Sequence, residues 1–196
     1  HETYQDVNGK WLNPSEIEKD QDNNFITINT KNKVKVGAPE AMSKSKKNVV
    51  DPENMIKVYG ADAIRLFILS DSPPEKDIQW SERGVNASNK FLQKIWNLND
   101  IIMKKKGGSK DPTEEEIYLN NFNNYILKVS DLIENFQFNV AVANIYEIYK
   151  LMFTSLNKSI SSSIFRKTLE DFMKALIPFI PHLAYECLDK FKKDEV

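Results

Sequence analysis

The sequence is poor in the residues that form disulfides and metal sites, with one cysteine and two histidines in 196 residues. A single cysteine, Cys187, excludes an internal disulfide and suits a reducing compartment, so we expect a cytoplasmic protein. Apolar helical neighbours predict a core position for Cys187 rather than a role as a nucleophile. No Cys/His cluster has zinc spacing and no carboxylate pair suits acid/base work, so we predict no metal site.

Long hydrophobic runs and a strong net charge are also missing. No apolar stretch reaches the roughly 18 residues that a membrane-spanning helix needs, and the N-terminus has no signal-peptide pattern. The net charge of −1 gives no overall attraction to nucleic acid, so any RNA contact must depend on local patches. The sequence begins with His1 rather than Met, which suggests that it is an internal piece of a longer chain.

Hydrophobic residues make up 41% and charged residues 28% of the chain, as in an ordinary globular protein of one or two modest domains. Residues 1–40 form a β-rich segment in our prediction. Asn8-Gly9 is typical of a hairpin turn. The segments Phe25–Ile28 and Lys33–Val36 are strand candidates, and Gly37 ends this part.

Two short helices are predicted next. Asp51 suits an N-cap, Pro52 the first helical position and Gly60 a C-terminal cap. A second helix begins near Ala61 and stops before Pro73. Its predicted apolar stripe consists of Ile64, Phe67 and Ile68.

From residue 81 onward the pattern predicts an antiparallel helix bundle, so the fold class is mainly α. Helices start at Ser81-Glu82 and at Asp111-Pro112, Asn139 is a candidate cap for the next, and two more cover about 164–177 and 181–193. The predicted buried faces comprise Val85, Phe91, Leu92, Ile95, Trp96, Leu98 and Ile102, then Ile117, Tyr118, Phe122, Tyr125, Ile126, Val129, Leu132, Ile133 and Phe136, then Val142, Ile145, Tyr146, Tyr149 and Met152.

The segment Ala41–Asn48 concentrates chemistry that suits a polyphosphate. Three ammonium groups and two hydroxyls fall between Ser43 and Lys47. Lysines can act there as point charges, while hydroxyls and backbone N–H groups donate hydrogen bonds. The alternative is a solvated loop without a ligand.

Several motifs resemble class I aminoacyl-tRNA synthetases. Met42-Ser43-Lys44-Ser45 is similar to their second signature loop, Lys-Met-Ser-Lys-Ser, with Ala41 in place of the first lysine. The further motifs are Asn48-Val49-Val50-Asp51-Pro52, Tyr59-Gly60-Ala61-Asp62-Ala63-Ile64-Arg65, Phe138-Asn139-Val140-Ala141 and Pro178-Phe179-Ile180-Pro181-His182-Leu183-Ala184-Tyr185-Glu186. The stretch Ser72-Pro73-Pro74-Glu75-Lys76-Asp77-Ile78-Gln79-Trp80-Ser81-Glu82 resembles the bacterial leucyl branch in particular.

The resemblance implies three segments: a connecting segment at 1–40, the end of the catalytic domain at 41–80, and an anticodon-binding-type bundle at 81–196. It implies a ligase that uses ATP with Mg²⁺ to activate leucine and transfers it to tRNA(Leu). Lys44 would then be the catalytic residue and main phosphate contact. Ser43 and Ser45 would donate hydrogen bonds or stabilise the bend, and Met42 would pack the loop against the domain beneath.

The resemblance also implies RNA contacts on the bundle and near the loop. The candidates are Lys46, Lys47, Trp80, Arg83, Lys90 and Lys94, together with the run Lys104–Lys106. Trp80 and Trp96 could equally be core residues, and the lysines could simply solubilise the surface. A structural or capping role is favoured for His182 over RNA contact.

The first signature of the class, His-Ile-Gly-His, does not occur in this sequence. We therefore expect the chain by itself to be inactive and to hold no ATP. Separately, we expect a monomer. The alternatives are a non-catalytic tRNA-binding helical module, a helical scaffold without a ligand, and a piece of an isoleucyl-, valyl- or methionyl-type enzyme.

Overall fold

The computed structural model describes residues 1–108 and 110–194, with side chains up to Phe191. The chain forms two compact units, His1–Lys57 and Val58–Val196. The helix that follows Gly60 therefore belongs to the second unit, together with the bundle. The functional division into three segments stays a prediction.

The first unit contains two small antiparallel sheets. Its described strands are β1 (Thr3–Gln5), β2 (Trp11–Leu12), β3 (Ile17–Lys19), β4 (Phe25–Thr27) and β5 (Lys35–Gly37). The first sheet has the order β2-β1-β5, and β3 pairs with β4. The predicted turn is confirmed, because Gly9 adopts a φ of +79° between β1 and β2.

Sequence patterns located two of the later strands closely and missed one. The predicted strand at Phe25 is β4, and the predicted strand at Lys33 begins two residues later as β5, which includes Gly37. Strand β3 was missed because Ile17-Glu18-Lys19 offers a single apolar side chain and no alternation long enough to recognise.

Helix α1 (Pro52–Tyr59) and its caps agree with the prediction. The Glu53 backbone N–H donates to the Asp51 carboxylate over 3.0 Å. Gly60 ends the helix with a φ of +81°, in the region that favours glycine.

The second unit is a bundle of helices, and the predicted mainly α fold is confirmed. Its described helices are α2 (Ala61–Asp71), α3 (Glu82–Lys104), α4 (Pro112–Glu134), α5 (Phe138–Ser155), α6 (Ser162–Leu176) and α7 (Pro181–Asp194). Helix α4 packs along α5, α6 packs on α7, and α2 lies against α3 and α5. No helix within residues 1–108 and 110–194 is long and apolar enough to cross a bilayer.

Local capping residues set where α3 and α4 begin. The Ser81 hydroxyl accepts a hydrogen bond from the Gly84 N–H over 3.1 Å. The Asp111 carboxylate accepts one from the Thr113 N–H over 2.9 Å. Both predicted caps are confirmed, whereas the cap at Asn139 is wrong, because α5 already begins at Phe138.

The bundle core contains most of the predicted apolar faces, with specific errors at their edges. Ile68, Trp96, Ile117, Phe136 and Tyr146 were predicted to be buried and are exposed. Ile68, Trp96, Ile117 and Tyr146 lie at the margins of the apolar stripes, where the 100° step of a helix turns the next side chain toward solvent. Phe136 lies beyond the end of α4, with a φ of +57°.

Candidate functional site

Asn48 organises the segment Ala41–Asn48 from within. Its side chain is fully buried. The Asn48 Oδ1 accepts a hydrogen bond from the Ser43 N–H over 2.8 Å, and Nδ2 donates to the Ala41 carbonyl over 3.3 Å. A third bond runs from Nδ2 to the His1 carbonyl over 3.2 Å. One amide thus fixes both ends of the loop, a role that the sequence alone did not reveal.

A tight turn lies inside this frame. The Lys47 N–H donates to the Lys44 carbonyl over 3.2 Å, and Lys47 has a φ of +54°. The Ser43 and Ser45 hydroxyls lie 2.8 Å apart and are hydrogen-bonded. The turn therefore begins at Lys44, which lies between two hydroxyl groups in the sequence.

The three lysines of the loop have different electrostatic surroundings. Lys46 forms an ion pair with Glu40 and lies 5.9 Å from the centre of the Trp11 ring. Lys47 lies 3.5 Å from the Glu16 carboxylate. Lys44 is exposed and has no acidic partner within the part of the chain that the structure describes. Its ammonium is available to an anionic ligand.

Glu16 is itself held in the charged form. The Asn13 backbone N–H donates to its carboxylate over 2.7 Å. This bond first, and the nearby Lys47 ammonium second, hold the pKa of Glu16 below its usual value. Lys47 therefore faces a stable anion and has its charge partly compensated.

Met42 and Ala41, at the start of the loop, have different environments in the structure. Met42, which the resemblance expects to pack the loop against a domain beneath, is 43% exposed in this structure, and its packing stays a prediction. Ala41 takes part in the loop through its carbonyl group. The loop shape therefore uses the backbone at position 41, which a residue without a long side chain can supply.

The predicted RNA contacts of the second unit separate into two groups. Arg83, Lys90 and Lys94 are exposed on α3. Trp80 is half-buried, and its ring meets Phe67 edge-on with centroids 5.6 Å apart. The structure therefore gives Trp80 a packing role, consistent with the core interpretation.

In the run Lys104–Lys106, the first two lysines contact other residues of the bundle. Lys104 pairs with Asp100 over 2.7 Å. Lys105 donates to the Leu156 carbonyl over 3.1 Å and lies 5.5 Å from the centre of the Phe165 ring. Lys106 is exposed. Lys105 thus holds two segments of the bundle together.

Lys90 and Lys94 border a groove between α3 and α5. The groove has a volume of about 450 Å³. We name it the lysine–tyrosine groove, and its lining residues are Ala87, Lys90, Phe91, Lys94, Tyr146, Tyr149 and Lys150. Lys150 was missed by the sequence analysis, because the pairing of α5 with α3 cannot be inferred from spacing along one helix.

His182 and Cys187 have the structural roles expected of them. His182 Nδ1 lies 2.9 Å from the Asp62 carboxylate at the start of α7. Cys187 is fully buried, and burial raises the pKa of its thiol to about 11. Among the described residues, no three His, Cys, Asp or Glu side chains come together to hold a metal ion.

Comparison with known proteins identifies the relatives of this chain. A family model described as tRNA synthetases class I (I, L, M and V) matches residues 16–81, and one described as the anticodon-binding domain of tRNA ligase matches residues 115–196. A leucine–tRNA ligase of Neorickettsia sennetsu is 38% identical over the whole chain, and one of Bartonella tribocorum is 38% identical over 95% of it. The chain is a homologue of one segment of the bacterial leucine–tRNA ligases.

The chain spans 22% of the length of these two leucine–tRNA ligases. Among solved structures, it resembles the LeuRS of Agrobacterium radiobacter K84 in a ternary complex with tRNA and LeuAMS. That likeness has a TM-score of 0.66 and 27% identity, and it covers 74% of this chain and 20% of the other. Methionyl-tRNA synthetase of Mycobacterium tuberculosis shares the fold, with a TM-score of 0.58, 20% identity and coverage of 76% and 35%.

Proposed function

We propose that this chain works as one segment of a leucine–tRNA ligase, which activates leucine with ATP and transfers it to tRNA(Leu). The observation that carries the proposal is the homology to leucine–tRNA ligases along 95% or more of the chain. The exposed Lys44 ammonium supports it. Among the described residues it has no acidic partner, and its loop combines the lysines and hydroxyls that suit a triphosphate.

The activation reaction explains why such a loop is useful. The leucine carboxylate attacks the α-phosphorus of ATP, forming leucyl-adenylate and releasing pyrophosphate. Negative charge grows on the departing phosphates as the bond breaks, and a positioned ammonium stabilises it without covalent chemistry. Lys44 would supply that charge. Mg²⁺ carried by ATP would neutralise further phosphate charge.

The remaining loop residues would shape and hold this cation. Ser43 and Ser45 would donate hydrogen bonds to phosphate oxygens once their mutual bond opens. Lys46 and Lys47, compensated by Glu40 and Glu16, would add a weaker field at the loop or at RNA phosphates. Met42, exposed in this unit, would pack against a neighbouring domain of a full-length ligase.

The second unit would dock tRNA(Leu). Arg83, Lys90 and Lys94 are exposed cations along α3, and RNA affinity depends chiefly on such contacts with phosphates. A ligase with this segment would work as a monomer in the cytoplasm. The chain by itself would not activate leucine, because its sequence lacks the His-Ile-Gly-His signature.

A chimera tests the proposal. The chain replaces the matching segment of the Neorickettsia sennetsu ligase, which aligns with all of it. Leucylation of tRNA(Leu) by the chimera, with no pyrophosphate exchange by the chain alone, is the expected result. The proposal would be contradicted by a folded chimera that leaves tRNA(Leu) uncharged. It would also be contradicted by a chimera that attaches isoleucine, valine or methionine in place of leucine.

A non-catalytic tRNA-binding module is the second candidate, favoured by the match of residues 115–196 to an anticodon-binding domain. Such a module predicts that the chain binds tRNA with a steep salt dependence while the chimera stays inactive. A scaffold without a ligand predicts no tRNA binding.

A further inference from the structure

We infer that the lysine–tyrosine groove between α3 and α5 holds a stretch of the RNA sugar–phosphate backbone. The inference rests on the proposed function, and it names the place where the second unit would contact tRNA. Two of its lysines were candidates from the sequence, whereas Lys150 and both tyrosines enter from the structure.

The groove has cations on both of its sides. Lys90 and Lys94 stand one turn apart on α3, and Lys150 faces them from α5. All three are exposed. Within the described residues, Lys90 and Lys94 have no acidic partner, and Lys150 lies 3.8 Å from the exposed Glu147. An exposed pair of this kind is weak, so all three ammonium groups are available to phosphates.

The floor between these lysines is aromatic and fixed in place. Tyr146 stacks on the buried Phe91 ring, with centroids 3.8 Å apart and planes at 27°. Tyr149 meets the same ring edge-on at 5.5 Å. The rings are held by packing before any ligand arrives, so little freedom is lost on binding.

The tyrosine hydroxyls are suited to hydrogen bonding with a ribose. Neither has a hydrogen-bond partner within the part of the chain that the structure describes. Partial burial raises the pKa of both hydroxyl groups, so they stay neutral and keep their protons at physiological pH. A ribose 2′-OH both donates and accepts hydrogen bonds.

These features select RNA among possible occupants. Three exposed ammonium groups, of which Lys150 alone has an acidic neighbour among the described residues, favour a polyanion over an apolar peptide, because covering unpaired lysine charge would cost binding energy. Phosphates meet the lysines, and the 2′-hydroxyls meet the tyrosine edges. The contacts use backbone atoms, so the groove would hold RNA without reading its bases.

Binding of unmodified tRNA(Leu) transcript to the 196-residue chain tests the groove. One variant combines Lys90→Gln, Lys94→Gln and Lys150→Gln. A control of equal charge change combines Lys110→Gln, Lys128→Gln and Lys158→Gln, which are exposed elsewhere on the second unit. The groove variant should lose about tenfold or more in affinity at low salt. The slope of log Kobs against log[salt] should become shallower by about 2. The control should stay within about threefold of the parent chain.

A second variant separates ribose contact from simple charge attraction. Tyr146→Phe with Tyr149→Phe keeps both rings and removes both hydroxyls. Affinity for the RNA transcript should fall about three- to tenfold, while affinity for DNA of the same sequence stays unchanged. Circular dichroism and melting temperature confirm that each variant is folded.

The outcomes separate this inference from the proposed function. If the parent chain binds tRNA and the groove variant and the control have equal salt slopes, the groove is not the RNA-binding site. The ligase proposal would still stand. No loss of RNA affinity in the tyrosine variant would overturn the ribose contact. A parent chain that does not bind tRNA would overturn the proposal that the groove binds RNA. The chimera would still decide whether the chain works as a ligase segment.

Discussion

Asp62 and Leu183 lie 121 residues apart, and the Leu183 backbone N–H donates to the Asp62 carboxylate over 2.8 Å. The other carboxylate oxygen lies 3.4 Å from the His182 N–H and 2.9 Å from its Nδ1. A side chain from α2 thereby caps the N-terminus of α7, whose first N–H groups have no partner inside their own helix.

Arg65 completes this contact one turn along α2. Its guanidinium donates to the Pro178 carbonyl over 2.8 Å and to the Phe179 carbonyl over 3.3 Å. Asp62 thus satisfies donors at the start of α7, and Arg65 satisfies acceptors in the turn before it. The two sequence motifs that contain these residues meet as one polar clamp.

Asp62→Ala should lower the free energy of unfolding by about 2 kcal/mol, because two backbone donors lose a largely buried, charged acceptor. Urea titration followed by circular dichroism measures the change. Asp100→Ala is the matched control, since Asp100 makes an exposed i,i+4 pair with Lys104. Its effect should stay within about 0.5 kcal/mol. Equal effects of the two substitutions would show that the clamp does not stabilise the bundle.

Asn48→Ala should release the loop that carries Lys44. The Ser43 N–H would lose its acceptor, so its hydrogen exchange should accelerate about tenfold or more. NMR-detected exchange measures this rate. Asn54→Ala, on the exposed face of α1, should leave it unchanged. An unchanged Ser43 rate in Asn48→Ala would mean that the amide does not hold the loop.

Cys187 should react slowly while the chain is folded. Burial raises the pKa of its thiol from 9.0 to about 11, so the thiolate fraction at pH 8 falls about 100-fold even before access is considered. Alkylation with iodoacetamide should be slower by at least that factor than in urea. Similar rates in the two states would place the thiol outside the core.

The same shift predicts a pH dependence of stability. The folded state keeps the Cys187 proton to a higher pH than the unfolded state does. The unfolded chain therefore binds fewer protons between about pH 9 and pH 11, and stability should fall as pH rises through this window. Cys187→Ser should weaken that dependence in urea titrations at pH 8 and pH 10.

Local chemistry explains which parts of the fold were predictable. Asp51, Ser81 and Asp111 accept hydrogen bonds from N–H groups two or three positions away. Each of these helix starts is therefore determined by residues close together in the sequence. Lys44 was likewise predicted as a site residue from its own loop. That it has no acidic partner among the described residues could not be predicted, because this depends on Glu40 and Glu16 lying beside Lys46 and Lys47.

Long-range pairing explains what the sequence could not give. Nothing near Asp62 in the sequence points to α7, and nothing near Lys150 points to Lys90. The exposure of Phe136 has a different, local cause, because Phe136 has a positive φ just after α4. A non-glycine residue gives no sequence signal for such a φ. The contact of Asp62 with α7 and the approach of Lys150 to Lys90 arise only when helices distant in sequence pack together.

Pyrophosphate exchange, measured on a full-length leucine–tRNA ligase that contains this chain, is the sharpest check on the role of the Lys44 ammonium. Lys44→Ala should lower the exchange rate by roughly 100-fold or more, the scale of removing one donor to transition-state charge. Lys46→Ala, which removes a lysine already paired with Glu40, should cost far less. A Lys44→Ala enzyme within about threefold of the parent rate would contradict the assigned role of this loop.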